Sequence, residues 1–150
     1  MRKISELTLT FGGVGWIPFA SGTWGSAAAV LCLFLIPAGV FVPVVAIGAL
    51  VLLVVGSLMA NDAEKLFGRP DPAPVVLDEV VGMMVSVAFL AKPDVADFIL
   101  AFVLFRVFDI LKPPPVRQVE KVAGGWGIFL DDVLAGLYTN AILRLLPLVL

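Results

Sequence analysis

Apolar residues run almost unbroken through the first part of the chain: from Leu7 to Asn61 no side chain carries a formal charge. Pro37, Gly39 and Pro43 interrupt this run, and such residues punctuate helices. The pattern predicts two helices, 26–41 and 43–60, folded as a tight hairpin. Further apolar stretches follow at 75–91, 95–111 and 132–150, the first two joined by a short turn around Lys92, Pro93 and Asp94. Each stretch comes close to the roughly 17–25 apolar residues that a bilayer crossing requires. The expected fold is all-α, a multi-pass membrane bundle of about four to five hydrophobic helices forming one domain over 1–150.

Composition strengthens this expectation. The chain of 150 residues is 61% hydrophobic and 15% charged, with mean hydropathy +1.09, whereas soluble domains are about half apolar and a quarter charged. Net charge of −2 gives no support for nucleic-acid binding. Histidine is absent, which excludes imidazole bases, phosphohistidine and histidine-bound zinc. The single cysteine, Cys32, lies in an apolar run without a basic neighbour, so it reads as a small hydrophobe and not a nucleophile.

The N-terminus does not read as a cleavable signal, because Arg2 and Lys3 lead into Glu6 and a polar-spotted, Gly-rich stretch. Five spans place Arg2, Lys3, Lys65, Arg69, Lys112, Arg117 and Lys121 on one side. The other side holds Lys92, with Arg144 inside the last run, where it can snorkel toward headgroups. The positive-inside rule makes the first side cytoplasmic. Trp16, Trp24 and Trp126 fall in those same segments, and their amphipathic rings favour headgroup depth.

Carboxylates collect at this same end, while the middles of the spans lack them. Asp62 follows the second run, Asp78 and Glu79 open the third, Asp109 closes the fourth, and Asp131 and Asp132 open the fifth. Bundling these helices would crowd like charges, which requires a counter-charge. Oxygen-only ligands without His or Cys point to Mg²⁺, with Mn²⁺ and Ca²⁺ less favoured. Asp78 and Gly82 are four apart, as are Asp132 and Gly136, so each acid shares a helix face with a site of close approach. Arg106, Asp109 and Lys112 follow at steps of three, placing two cations and an acid on one face, suited to an anionic ligand beside a metal.

Two glycine-rich segments lie at this end. Residues 21–26, with Ser21, Thr23 and Ser26, run into the first helix, where free N–H groups and hydroxyls could cradle phosphate. Gly124, Gly125 and Gly127 allow a sharp turn before Asp131 and Asp132. Plainer alternatives stand beside these. Acids at helix N-termini are favoured by the dipole alone, Arg106 can serve only to neutralise Asp109, and Ser21 or Thr23 can be a simple cap. Asp109 resists that explanation, since the dipole disfavours an anion at a helix C-terminal end. Asp94, Asp97 and Glu120 read as solvated charges, and Asp62 as a surface residue beside Glu64 and Lys65.

Four ordered motifs, Gly22-Thr23-Trp24-Gly25-Ser26, Asp71-Pro72 leading to Val76 through Met83, Phe105 through Pro113, and Gly124 through Gly136, resemble the phosphatidylglycerophosphatase A family. The resemblance spans about 11–138, with Phe129 where methionine is expected in many relatives. It implies a Mg²⁺-dependent phosphatase of the bacterial cytoplasmic (inner) membrane. Its substrate would be the lipid phosphatidylglycerophosphate, converted to phosphatidylglycerol and phosphate. The motif positions are Thr23, Asp78, Glu79, Arg106, Asp109, Lys112, Asp131 and Asp132.

Lacking His and a reactive Cys, the chain is best suited to direct attack by a metal-activated water; a covalent aspartyl intermediate is the less favoured variant. The expectation assigns Asp78, Glu79, Asp109, Asp131 and Asp132 to catalysis and to one or two Mg²⁺ ions. Thr23, Ser26, Arg106 and Lys112 are assigned to substrate binding. Two alternatives remain at this stage, a divalent-cation transporter and a non-catalytic membrane assembly protein, although a transporter would need polar groups near the midplane.

Overall fold

The computed structural model describes residues 2–68 and 72–149. Arg69 and Asp71, used above, lie outside the described residues, as does Leu150. Every regular element among the described residues is helical: α1 (Arg2–Leu9), α2 (Ser21–Leu35), α3 (Phe41–Ala60), α4 (Ala63–Phe67), α5 (Leu77–Val87), α6 (Val95–Leu111), α7 (Val116–Val119) and α8 (Gly125–Val149). The long helices α2, α3, α5, α6 and α8 alternate in direction. α5 packs against the other four.

Local chemistry sets the boundaries. Ile36 is extended ahead of Pro37, as a residue preceding proline prefers, and this stops α2. α3 starts at Phe41, earlier than the predicted 43, because Pro43 falls in the first turn, where an N–H has no helical acceptor. α6 coincides with the predicted 95–111. Its start corrects one expectation: Asp94 and Asp97 are not merely solvated, since Asp97 N–H donates to Asp94 Oδ1 (2.9 Å) and Asp94 N–H to Asp97 Oδ2 (3.1 Å). This reciprocal cap satisfies two orphan donors.

The 75–91 run departs most from expectation. Only Leu77–Val87 is helical, 11 residues, of which Leu77, Val80, Val81, Gly82, Met83, Met84, Ser86 and Val87 are buried. At about 1.5 Å per residue it is a core helix too short to cross a bilayer unaided. Asn140 and Arg144 terminate it: Asn140 Nδ2 donates to the carbonyls of Val85, Ser86 and Ala88, and Arg144 Nη2 to Ala88 O (3.1 Å). Arg144 is thus bonded to a helix end as well as exposed. Among the described residues, one helical stretch, Ala38–Ala60, is long and apolar enough to cross a membrane by itself, with mean hydropathy 2.8.

The two expected sites of close approach, Gly82 and Gly136, meet each other where α5 packs on α8. A Cβ on Gly82 would lie 2.9 Å from Asp132 O, and one on Gly136 would lie 2.5 Å from Gly82 O and 3.0 Å from Val85 Cβ. Gly136→Val should therefore force the backbones apart, lowering stability by about 1–3 kcal/mol. Thermal unfolding in detergent measures this, and an unchanged transition would show that the two helices separate freely.

Candidate active site

The alternating helices bring the ends of α2, α5 and α6 and the early turns of α8 together at one pole. A cavity of about 400 Å³ opens there, lined by Asp78, Glu79, Asp109, Glu120, Asp131, Asp132 and Lys112, with Ser21 and the 72–75 loop on its wall. Asp78 and Glu79 occupy the first turn of α5, where the helix dipole favours anions. Asp131 and Asp132 lie further in than expected, because α8 already begins at Gly125. Gly124 adopts a left-handed φ of +77°, and Asn61 Oδ1 accepts from Gly125 N–H at 2.8 Å, capping α8 from the end of α3.

Asp109 and Lys112 come from the C-terminal end of α6. Lys112 is the C-cap, left-handed at φ 45°, a conformation that glycine usually occupies at a helix end. Its ammonium lies 2.7 Å from Asp131 Oδ2 and 2.9 Å from Glu120 Oε1. Burial by itself would lower the Lys112 pKa, but hydrogen bonds and charge from Asp131 and Glu120 outweigh it and hold the ammonium above its ordinary range. Arg106 Nη1 lies 2.7 Å from Asp109 Oδ2, an ion pair without the alignment of a hydrogen bond.

The residues assigned from sequence are thus sorted by position. All five acids line the cavity, and so does Lys112. Arg106 stands behind Asp109 and Glu79: a Cβ on Gly22 would run into the Glu79 carboxylate and lie 3.2 Å from Arg106 Nη1. Ser26 is fully buried and donates to Gly22 O within α2 (2.8 Å), and neither it nor Thr23 lines the cavity. Asp62 stays on the surface, paired with Lys65 at 2.9 Å.

Two contributors lie outside the residues assigned from sequence: Ser21, which reads there only as part of the glycine-rich segment or as a simple cap, and Glu120. Ser21 reaches the wall and donates to Ala73 O (2.7 Å), tying α2 to the loop before α5. Glu120, read as a solvated charge, faces the cavity instead. The turn after Lys112 and the short α7 fold the chain back, with Tyr138 Oη donating to Pro114 O at 2.7 Å; no spacing rule signals that return.

Carboxylate oxygens of Asp78, Glu79 and Asp132 come within 4.8 Å of one another, as do those of Asp109, Asp131 and Asp132. Asp78 Oδ1 and Glu79 Oε2 are buried without a hydrogen-bond partner. Buried anionic oxygens without partners are costly, so an all-oxygen donor set of this kind fits a hard divalent cation. These groups could hold a metal ion.

The sequence profile of the family described as phosphatidylglycerophosphatase A matches residues 7–147. The chain belongs to that family. A Haemophilus influenzae protein named phosphatidylglycerophosphatase A is 34% identical over 92% of this chain and 85% of its own length. The Escherichia coli protein of the same name is also 34% identical, over 87% of this chain and 76% of its own. A Bacteroides thetaiotaomicron protein provisionally named phosphatidylinositol-3-phosphatase is 39% identical, over 93% and 92%. No solved structure matches the chain significantly. As a phosphatidylglycerophosphatase A family member the chain is a phosphatase, which sets aside the transporter and assembly-protein alternatives. The matched interval contains all nine residues assigned above to catalysis, metal and substrate.

Proposed function

We propose that this enzyme hydrolyses phosphatidylglycerophosphate to phosphatidylglycerol and phosphate, with Mg²⁺ held by the carboxylate cluster, at the cytoplasmic face of the inner membrane. The observation that carries the proposal is the cavity itself, which places two unpartnered buried carboxylate oxygens near a lysine ammonium in a phosphatase family. When bound, Mg²⁺ would supply positive charge to phosphoryl oxygens and acidify water for attack. Its ligands would come from the two close-set groups, Asp78, Glu79 and Asp132 or Asp109, Asp131 and Asp132.

Phosphoryl transfer needs chiefly positioning and electrostatics. Lys112, fixed by Asp131 and Glu120, presents its charge to the phosphate. Arg106 stiffens the site from behind through Asp109. Water attacks phosphorus and loses a proton to a cavity carboxylate, the ester P–O bond breaks, and the lipid oxygen takes up a proton.

A bilayer setting suits both the substrate and the surface. Ile47, Leu50, Val51, Leu58, Ile99 and Val103 are large, apolar and exposed on α3 and α6, as lipid-facing helices carry. In the proposed multi-pass arrangement α5 is the core, wrapped by α2, α3, α6 and α8, with the basic segments on the cavity side. At the opposite pole Lys92 Nζ donates to Phe34 O and Ile36 O, neutralising the end of α2. Cys32 is exposed on α2, so in intact membranes a membrane-impermeant maleimide should leave it unmodified, and denaturation should expose it. Equal labelling in both states would refute this placement.

The decisive assay follows phosphate release in detergent from phosphatidylglycerophosphate and phosphatidylinositol-3-phosphate across a metal series. Release from the first, lost with EDTA and restored by Mg²⁺, is expected. Turnover of the inositol lipid alone would shift the substrate assignment toward the Bacteroides relative's name, and EDTA-resistant turnover would remove the cation.

A further inference from the structure

The six acids lining the cavity differ in one respect that proximity conceals: some already have a cation. Asp109 Oδ2 is paired with Arg106 Nη1 at 2.7 Å, and Lys112 Nζ serves Asp131 at 2.7 Å and Glu120 at 2.9 Å. Asp78 and Glu79 form no ion pair of this kind, the Arg106 guanidinium near Glu79 being turned to Asp109, and Asp78 Oδ1 and Glu79 Oε2 are buried with no hydrogen bond. Asp132 belongs to both close-set groups, one with Asp78 and Glu79 and one with Asp109 and Asp131. Distance among acids therefore allows either group to bind an ion, and counter-charge separates them.

An ion entering beside Asp109 and Asp131 would meet the guanidinium and the ammonium already seated there, and like charges a few ångströms apart in a partly buried site repel strongly. Beside Asp78 and Glu79 it breaks no ion pair, and the two unpartnered oxygens gain a counter-charge. The α2 backbone is close to Glu79 on this side, because a Cβ on Gly22 would collide with that carboxylate.

Building on the cation-dependent phosphatase reading above, we propose that one divalent cation per chain is held by Asp78, Glu79 and Asp132. Asp109 and Asp131 are not its ligands. Asp131 is a positioning residue that, with Glu120, holds Lys112 toward the phosphate. Asp109, kept in place by Arg106, stays free of the ion and available to the attacking water, whose proton it accepts as the oxygen bonds to phosphorus.

Mn²⁺, counted by its electron paramagnetic resonance signal, serves as the probe on the full chain in detergent, with thermal unfolding as a second readout. The unsubstituted protein should bind one Mn²⁺ per chain. Asp78→Asn, Glu79→Gln and Asp132→Asn should weaken binding by more than about tenfold, while Asp109→Asn and Asp131→Asn bind it as the parent does. Without metal, Asp78→Asn and Glu79→Gln should unfold at a higher temperature than the parent, because each removes an uncompensated charge. Asp131→Asn should unfold at a lower one, because it removes the more buried of the two carboxylates holding Lys112, and should raise KM more than it lowers kcat. Two Mn²⁺ per chain, or loss of binding in Asp109→Asn or Asp131→Asn equal to that in Asp78→Asn, overturns the division. No Mn²⁺ bound to the parent overturns the cation reading of the cavity as well.

Discussion

Asp109→Asn is expected to lower phosphate release by about 10²–10⁴-fold, the range over which a positioned acid or base contributes, while the protein stays folded. The asparagine amide is nearly isosteric with the carboxylate, so packing around Phe105, which is fully buried one turn earlier on α6, is undisturbed. Chemistry changes instead. The substitution replaces an acceptor fixed by Arg106 with a neutral group that cannot take a proton from water, and it leaves Arg106 without its ion-pair partner. Single-turnover phosphate release beside an unfolding curve measures both halves of the prediction. Unchanged turnover in a folded variant would remove Asp109 from the site.

Lys112→Met should be nearly as damaging and should also cost stability. The methionine retains most of the apolar stem but removes the ammonium that faces Asp131 and Glu120. Glu120 is half exposed, with 49% side-chain accessibility, and Asp131 is nearly covered at 9%, so the loss falls mainly on the Asp131 contact. That contact is worth about 1–2 kcal/mol once solvent screening is allowed for.

The pH dependence has a definite sign. A lysine whose folded pKa is raised contributes stability that is fully present below its unfolded pKa, about 10.4, and is lost as pH rises through the higher folded value. The stability difference between the parent and Lys112→Met should stay flat from neutral pH to about pH 10 and shrink only above that. Urea or thermal unfolding across that range checks it. A gap that closed near neutral pH would show that the ammonium does not hold the cavity together. Lys112→Gly, which relieves the left-handed backbone, should recover part of the stability and none of the activity.

The chain's own order of apolar and polar residues was enough to place the long helices and to gather most of the site. A charge-free run broken by prolines marks α2 and α3, although α2 spans Ser21–Leu35 and not the expected 26–41, and the apolar stretch 95–111 coincides with α6. The four-residue spacings of Asp78 with Gly82 and of Asp132 with Gly136 marked two sites of close approach that meet where α5 and α8 touch. These are local properties, governed by helical period and by the backbone limits of proline and glycine. Five acids at one end of alternating helices have to converge if the helices bundle, so the cavity itself was legible.

What the linear pattern could not supply is which groups meet after the chain returns on itself. The length of α5 depends on Asn140 and Arg144 reaching across from α8 to occupy its last carbonyls, and nothing within 75–91 encodes that stop. Glu120 joins Lys112 only because the Pro113–Pro115 turn and α7 bring it back, and Arg106 falls behind Asp109 instead of onto the cavity wall because of its direction on α6. Sequence determined an all-helical, phosphatase-family chain with acids at one pole, since periodicity and charge are carried residue by residue. Tertiary structure alone decided which acids already own a cation and which are left unpaired, because pairing is a matter of distances between helices that the order of residues does not contain.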